Sequence, residues 1–248
     1  MRLGAGPFAL RDVTGSHLES LAIQAVRSSF DAFWVAESRD QGVGGGLAAA
    51  AMLAQSVPIR LGAALDLGTY HPLYLAEDIA VADLATQGRI EVLLRVTGDW
   101  QEEHLRVLAM ALSGAHIKWE GVYLRVPANI DANQPSPTRL ALNPRPAQPV
   151  VPIWIENTGT WIEQAAQTLG FGLAAGWQRN AKVPVASGRW SGMMLCPNNV
   201  EPAALLAAAG DEAGYFVVTA ESEDEIASAG RRLAGPLRMP EFPDWVNA

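Results

Sequence analysis

The sequence predicts a (β/α)8 barrel of the TIM type. Three observations carry that expectation: short apolar runs recur along the chain, helical patterns separate most of them, and the length suits such a barrel. With 248 residues, 49% of them hydrophobic, the chain can form one sizeable core, so residues 1–248 are expected to make a single domain. The strand candidates are Arg2–Leu10, Ala32–Glu37, Arg60–Leu67, Arg89–Val96, Val151–Glu156, Phe171–Trp177, Arg189–Cys196 and Tyr215–Ala220. Most are continuous rather than alternating apolar runs, the pattern of strands covered on both faces.

The helices between them have recognisable ends. Ser16-x-x-Glu19 reads as a capping box, followed by Leu18, Leu21, Ala22 and Ala25 on one face. Gly44–Ala54, with Met52 and Leu53, reads as a tightly packed helix. A third helix begins near His71-Pro72, has Glu77 and Asp78 in its early turns, repeats Leu75, Ala76, Ile79, Ala80 and Leu84, and stops at Gly88. The last opens on a second box, Ser222-x-x-Glu225, and carries Ile226, Ala229 and Leu233.

Two stretches break the alternation. Residues 113–150 read as a hairpin, Ile117–Trp119 turning at Glu120-Gly121 into Val122–Val126, then a coil with prolines at 127, 135, 137, 144, 146 and 149. Gln178–Gly188 is too short for a crossover helix of usual length, so the sixth helix is expected to be missing or reduced.

Composition narrows the function classes. A formal net charge of -8 without a Lys/Arg run supplies no footprint for nucleic acid or anionic membrane. The chain opens without a charged segment leading into an apolar run, and it has no stretch of 18 apolar residues, so a cytoplasmic protein is expected. The single cysteine, Cys196, excludes an intrachain disulfide and a multi-thiolate metal site. It reads as a small buried side chain against the rival reading of a nucleophile. His17, His71, His104 and His116 lack the spacing that puts two imidazoles on one helical face, so no metal is expected. Gly42–Gly46 lacks the lysine of a phosphate loop and reads as a flexible loop. The adjacent acids Glu102-Glu103 read as solvated.

Several segments carry a family likeness: Ser29-Phe30-Asp31-Ala32-Phe33-Trp34-Val35-Ala36-Glu37, Ile59-Arg60-Leu61-Gly62-Ala63-Ala64, and His71-Pro72 with Ala76-Glu77-Asp78 and Gly88-Arg89. Trp119-Glu120-Gly121-Val122-Tyr123, Asn143-Pro144-Arg145-Pro146-Ala147-Gln148-Pro149, Pro152-Ile153-Trp154-Ile155, and Asp224-Glu225-Ile226 through Gly235-Pro236-Leu237 add to it. Together they resemble the bacterial luciferase-like monooxygenases, over most of residues 2–178 and more weakly at the C-terminal end. The resemblance implies the barrel, FMN or a deazaflavin coenzyme, and hydride transfer or monooxygenation of a small organic substrate. Departures point to a shortened member. Val96-Thr97-Gly98-Asp99-Trp100 runs almost at once into a helix where relatives have a longer Gly-x-Gly segment, Glu37-Ser38-Arg39-Asp40-Gln41 lacks a histidine, and no long lid segment follows Trp177.

The resemblance also implies site residues, each with a plainer reading. Glu156-Asn157-Thr158-Gly159-Thr160 is similar to the turn that binds the FMN phosphate, while Thr160 with Glu163 also makes a capping box. Arg95 matches an arginine that reaches the phosphate, or it forms a rim salt bridge with Glu37 or Asp66. Trp177 flanks the flavin ring or fills core. Ala63-Ala64 matches small residues that form a non-prolyl cis bond beside the ring. His71 is either a cap or a weak catalytic candidate. A homodimer through the second and third helices is implied, with Ala48–Ala51, Ala80 and Ala82 allowing close approach. The alternative function is a non-catalytic flavin- or small-molecule-binding barrel, or a partner subunit, that has lost its lid.

Overall fold

A computed structural model describes residues 1–10, 14–37, 45–126, 140–156, 160–178, 181–184, 192–210, 214–234 and 237. Its centre is a closed parallel barrel of β1 (Arg2–Ala9), β2 (Ala32–Ala36), β3 (Arg60–Asp66), β4 (Ile90–Arg95), β7 (Ile153–Glu156), β8 (Gly172–Gly176), β9 (Met193–Cys196) and β10 (Tyr215–Val218). Each expected strand is present with narrower bounds; of Arg189–Cys196, residues 189–191 lie outside the described residues. Around it lie α1 (Gly15–Arg27), α2 (Gly45–Leu53), α3 (Pro72–Ala85), α4 (Gln101–Leu112), α5 (Thr160–Leu169), α6 (Pro202–Ala209) and α7 (Glu223–Ala234). Among the described residues no helix separates β8 from β9, as the short Gln178–Gly188 connection predicts.

Helix faces follow the apolar spacing. Leu18, Leu21, Ala22 and Ala25 of α1, and Ile226, Ala229 and Leu233 of α7, are buried against the barrel. The first cap differs from expectation. Thr14, not Ser16, is the N-cap of α1, its hydroxyl accepting from His17 N at 3.4 Å, so Ser16 falls inside the first turn. At α7 the box forms: Ser222 Oγ accepts from Glu225 N at 3.3 Å, and the Glu225 carboxylate accepts from Glu221 N at 2.8 Å. In α3, Leu75, Ala76, Ile79 and Ala80 are buried, but Leu84 is exposed.

The excursion between α4 and β7 contains the expected hairpin, shortened to β5 (Trp119–Glu120) and β6 (Arg125–Val126). Glu103 on α4 holds its turn, accepting from the backbone N–H groups of Val122 at 2.7 Å, Tyr123 at 3.1 Å and Leu124 at 3.0 Å. Glu103 is therefore not the idle solvated acid its sequence position suggested. Although burial opposes the charged form, those N–H groups hold its carboxyl below the usual range.

Strand alternation divides the core into two. One face of each strand packs under the helices; the other fills the barrel lumen with Trp34, Trp154, Leu93, Met193, Tyr215 and Val217. Two tryptophans fit there because glycine stands opposite them. A Cβ on Gly62 would lie 2.0 Å from Trp34 Cδ2, and one on Gly172 would lie 2.4 Å from Trp154 Cδ1. At the N-terminal end a polar chain closes the base. Trp34 Nε1 donates to Tyr215 Oη at 2.7 Å, and Tyr215 Oη donates to Glu91 Oε2 at 2.8 Å. The other Glu91 oxygen pairs with Arg2 at 2.7 Å and with Arg60. Burial opposes the Glu91 charge, but the two guanidinium groups outweigh it and hold the carboxyl below its ordinary range.

Gly62→Ala tests the lumen packing. The added methyl would overlap the Trp34 indole, and the expected loss is about 3 kcal/mol of unfolding free energy in denaturant titration. A loss under about 1 kcal/mol would mean that Trp34 shifts within the lumen at little cost.

Candidate functional site

The C-terminal ends of the barrel strands form a mouth, the position where parallel barrels place their ligands. Its floor is built from small side chains that continue the lumen-facing rows: Ala36 on β2, Ala64 on β3, Ala174 and Gly176 on β8. Gly176 marks open space, since a Cβ there would meet nothing within 4 Å. The tryptophan layer thus stops below the rim.

Ala64 belongs to this floor and Ala63 does not. Ala63 packs in the outer core under the helices, where an added Gly46 Cβ would approach it at 3.7 Å. The cis bond expected between them is absent. Among the described residues the cis bonds are Gly6–Pro7 and Asn143–Pro144, so the Ala63–Ala64 bond is trans. Both alanines keep parallel ladder partners on each side, Val35 and Val92, Ala36 and Leu93, so nothing compels the 3–4 kcal/mol that a non-prolyl cis bond costs (about that range).

Arg95 ends β4 at the rim, half exposed, with Nε 3.4 Å from Glu156 Oε2 at the end of β7. Its carboxylate partner is therefore Glu156. Glu37 is engaged elsewhere: its Oε1 accepts from Gly45 N at 3.0 Å and its Oε2 from Tyr70 Oη at 2.5 Å, which ties the end of β2 to the start of α2. Asp66 stands beside Arg95 in the β3–β4 register, and one of its oxygens accepts from Gly68 N at 3.1 Å.

Thr160 is the first residue of α5, directly after the rim; Asn157 and Thr158 lie outside the described residues. Trp177 follows β8, half-buried against the outer core, with its backbone N–H donating to Leu195 O at 2.8 Å. His71 caps α3: its Nδ1 accepts from Leu73 N at 3.3 Å, and its ring lies 5.5 Å from that of Tyr74. An imidazole accepting at Nδ1 is neutral, and burial lowers its pKa in agreement. Cys196 faces the outer core, and burial pushes its thiol up to about 12, which excludes a thiolate nucleophile.

Sequence reasoning missed Gln101. It is fully buried at the start of α4, and its Oε1 accepts from Thr97 N at 2.6 Å and Gly98 N at 2.9 Å, binding the short β4–α4 connection. The signal was present: a glutamine three residues after Gly98 is the back-reaching half of a capping box. Among the described residues no group of three or more His, Cys, Asp or Glu side chains could hold a metal ion, and no helix is long and apolar enough to cross a membrane.

Comparison with solved structures identifies the fold. Monooxygenase RslO1 of Streptomyces bottropensis superposes with a TM-score of 0.68 at 16% identity, over 96% of this chain and 99% of that one. The coenzyme F420-dependent tetrahydromethanopterin reductase of Methanopyrus kandleri gives 0.64 at 13% identity, over 96% and 99%. The oxygenating constituent of 3,6-diketocamphane monooxygenase of Pseudomonas putida, in complex with FMN, gives 0.52 at 17% identity, over 71% and 57%. No protein-family model matches the sequence, and no curated protein does. The chain shares its barrel fold with these monooxygenase and reductase structures, the fold that its motifs suggested.

The cap makes a pH prediction. Because the folded-state pKa of His71 lies below its unfolded value of about 6.5, its contribution to stability is present above that pH and is lost as pH falls through it. His71→Asn keeps a side-chain acceptor and does not titrate, so its melting temperature should fall less than wild type between about pH 7.5 and about pH 5.5. An equal fall would remove His71 as the cause.

Proposed function

We propose that this protein is a luciferase-like oxidoreductase that holds FMN or a deazaflavin coenzyme across the barrel mouth and acts on a small organic substrate, by hydride transfer or monooxygenation. The observation that carries the reading is the open space at Gly176 on β8, with Ala36 and Ala64 on β2 and β3 across the mouth from it. A flat ring system needs room between the strand ends, and small residues on both sides of the mouth leave it. When bound, the cofactor supplies the redox chemistry. The chain would supply placement: the small residues of the mouth beneath the ring, and the backbone N–H groups at the start of α5, from Thr160, for an anionic phosphate; Trp177, packed on the outer core, is left out of the ring contacts.

Arg95 fits that phosphate on one condition. It is paired with Glu156, so a phosphate at its guanidinium must displace a carboxylate. Glu156→Gln is therefore expected to tighten binding of FMN and of the deazaflavin coenzyme, while Arg95→Ala weakens it. Thr160→Val should raise the dissociation constant roughly 10- to 150-fold if its hydroxyl donates to the phosphate. Gly176→Leu should abolish binding by filling the mouth. Absorbance titration of each folded variant measures all four. Wild-type protein that binds neither cofactor would sink the proposal. Binding without turnover of reduced cofactor would leave the carrier or partner-subunit reading, which the short Val96–Trp100 connection favours.

The assembly reading is a homodimer through α2 and α3. Both helices expose large apolar side chains: Met52 is 72% exposed, Tyr74 67%, Val81 53% and Leu84 45%, with the exposed Glu77 among those of α3. These side chains would form the contact surface with the exposed Ala48; Ala50, Ala80 and Ala82 are buried within the protomer. Sedimentation at micromolar concentration should give a dimer, and Val81→Glu a monomer. A wild-type monomer would refute this.

A further inference from the structure

The barrel lumen holds three aromatic rings in mutual contact. Ring centroids lie 6.2 Å apart for Trp34 and Trp154, 5.4 Å for Trp154 and Tyr215, and 6.2 Å for Trp34 and Tyr215. None of the three is more than 1% exposed. Trp34 shares a strand face with Ala36 and stands two residues below it, about 7 Å from the mouth. Tyr215 begins β10, in register with Arg2 at the start of β1, and so lies at the opposite end of the barrel. The cluster therefore reaches from beneath the mouth to the base.

Aliphatic side chains would fill the same volume without a buried charge. Here the polar atoms of the cluster lead instead to a base. Trp34 Nε1 donates to Tyr215 Oη at 2.7 Å, and Tyr215 Oη donates to Glu91 Oε2 at 2.8 Å, so the phenol has a carboxylate at hydrogen-bond distance. The Arg2 guanidinium lies 4.4 Å from the centroid of the Tyr215 ring and opposes a second positive charge there. Tyr215 can thus give up an electron only together with its proton, and Glu91 is placed to take that proton. Indole and phenol are readily oxidised by one electron, and rings this close exchange electrons by tunnelling.

We propose that Trp34, Trp154 and Tyr215 form a relay that carries an oxidising equivalent from the mouth to the base. A one-electron oxidant at the mouth, the light-excited ring of FMN in the test below, takes one electron from the Trp34 indole and is itself reduced by one electron. The indole radical cation is refilled by one electron from Tyr215, directly or through Trp154. The phenolic proton crosses to Glu91 Oε2 and leaves a neutral tyrosyl radical. An oxidised phenol is a far stronger acid than any carboxylic acid, so this transfer runs downhill although Arg2 and Arg60 favour the Glu91 carboxylate. A one-electron reductant such as ascorbate returns the electron, and Glu91 returns the proton. The radical is thereby held on a residue that is 0% exposed, away from the mouth. As a relay for a flavin it rests on the function proposed above; as a property of the lumen it stands separately.

The test is laser-flash transient absorption of the wild-type protein with bound FMN, which distinguishes tyrosyl from tryptophanyl radicals. A tryptophanyl signal should form first and pass to a tyrosyl signal, more slowly in D2O because a proton moves with the electron. Tyr215→Phe should lose the tyrosyl signal and leave the radical on tryptophan. The chain has four tyrosines, and Tyr70, whose hydroxyl donates to Glu37, is the rival acceptor. Tyr70→Phe, Tyr74→Phe and Tyr123→Phe should each keep the signal, and these three decide should Tyr215→Phe fail to fold. Loss of the signal in any of the three, its persistence in Tyr215→Phe, or the absence of a tyrosyl radical from wild type overturns the proposal. Repeating the flash without FMN, with tris(bipyridine)ruthenium(III) generated in solution by light and persulfate as the oxidant, separates the two ideas. A Tyr215 radical made by ruthenium in protein that binds no FMN defeats the proposed function alone. Bound FMN whose flash yields no Tyr215 radical defeats the relay alone.

Discussion

The contact on which the barrel depends is that of the Trp34 indole with the backbone of the neighbouring strands. It lies across the lumen so closely that Gly4 and Gly62 have no room for a side chain: the Cβ positions would fall 3.0 and 2.0 Å from indole atoms. Its Nε1 cannot be left unpaired in that setting, and Tyr215 Oη accepts from it. Tyr215 in turn needs an acceptor, and Glu91 supplies one while drawing in Arg2 and Arg60. One large side chain thus sets the glycines of two strands and the ionic plug at the base.

The two ends of the barrel differ in consequence. At the base, a carboxylate with no exposed surface is enclosed by two guanidinium groups and a phenol, an arrangement whose disruption would strand a buried charge. At the mouth, Arg95 and Glu156 are both partly exposed and their contact is long, so water screens it and a competing anion can replace one partner cheaply. Because the aromatic layer ends at Trp34 and Trp154, the space above it is lined by small residues on β2, β3 and β8, with Leu195 beside Gly176. The packing that makes the base rigid also leaves the mouth open.

Much of this was legible in the sequence because it is local. Strands covered on both faces must be apolar throughout, so their runs stood out, and α1 and α7 showed their buried faces at 3.6-residue spacing. Errors arose where two local patterns compete or where partners are distant in the chain. Ser16 with Glu19 matches a box, which Thr14 with His17 does not, yet the helix starts at Gly15 and Thr14 caps it; Leu84 fits the apolar repeat of α3 although it points outward. The site was legible in part: Ala64 and Arg95 lie at the mouth, but Ala63 points the other way by strand alternation, and the Arg95–Glu156 pair joins residues 61 positions apart. No spacing rule reports such a pair.

The clipped β4–α4 connection explains the remaining departures together. With only Val96–Trp100 between strand and helix, the first turn of α4 is drawn onto the rim. Side chains of that turn then serve groups that a longer loop would satisfy by its own folding. Gln101 satisfies the N–H groups of Thr97 and Gly98, Glu103 fastens the hairpin turn at residues 122–124, and Trp100 lies over Gly68 and Gly98. At the β3–β4 sector of the mouth, helix side chains thus take the place of loop backbone. A helix side chain is held more firmly than a loop, and what it presents to a ligand is set by residue type rather than by loop conformation.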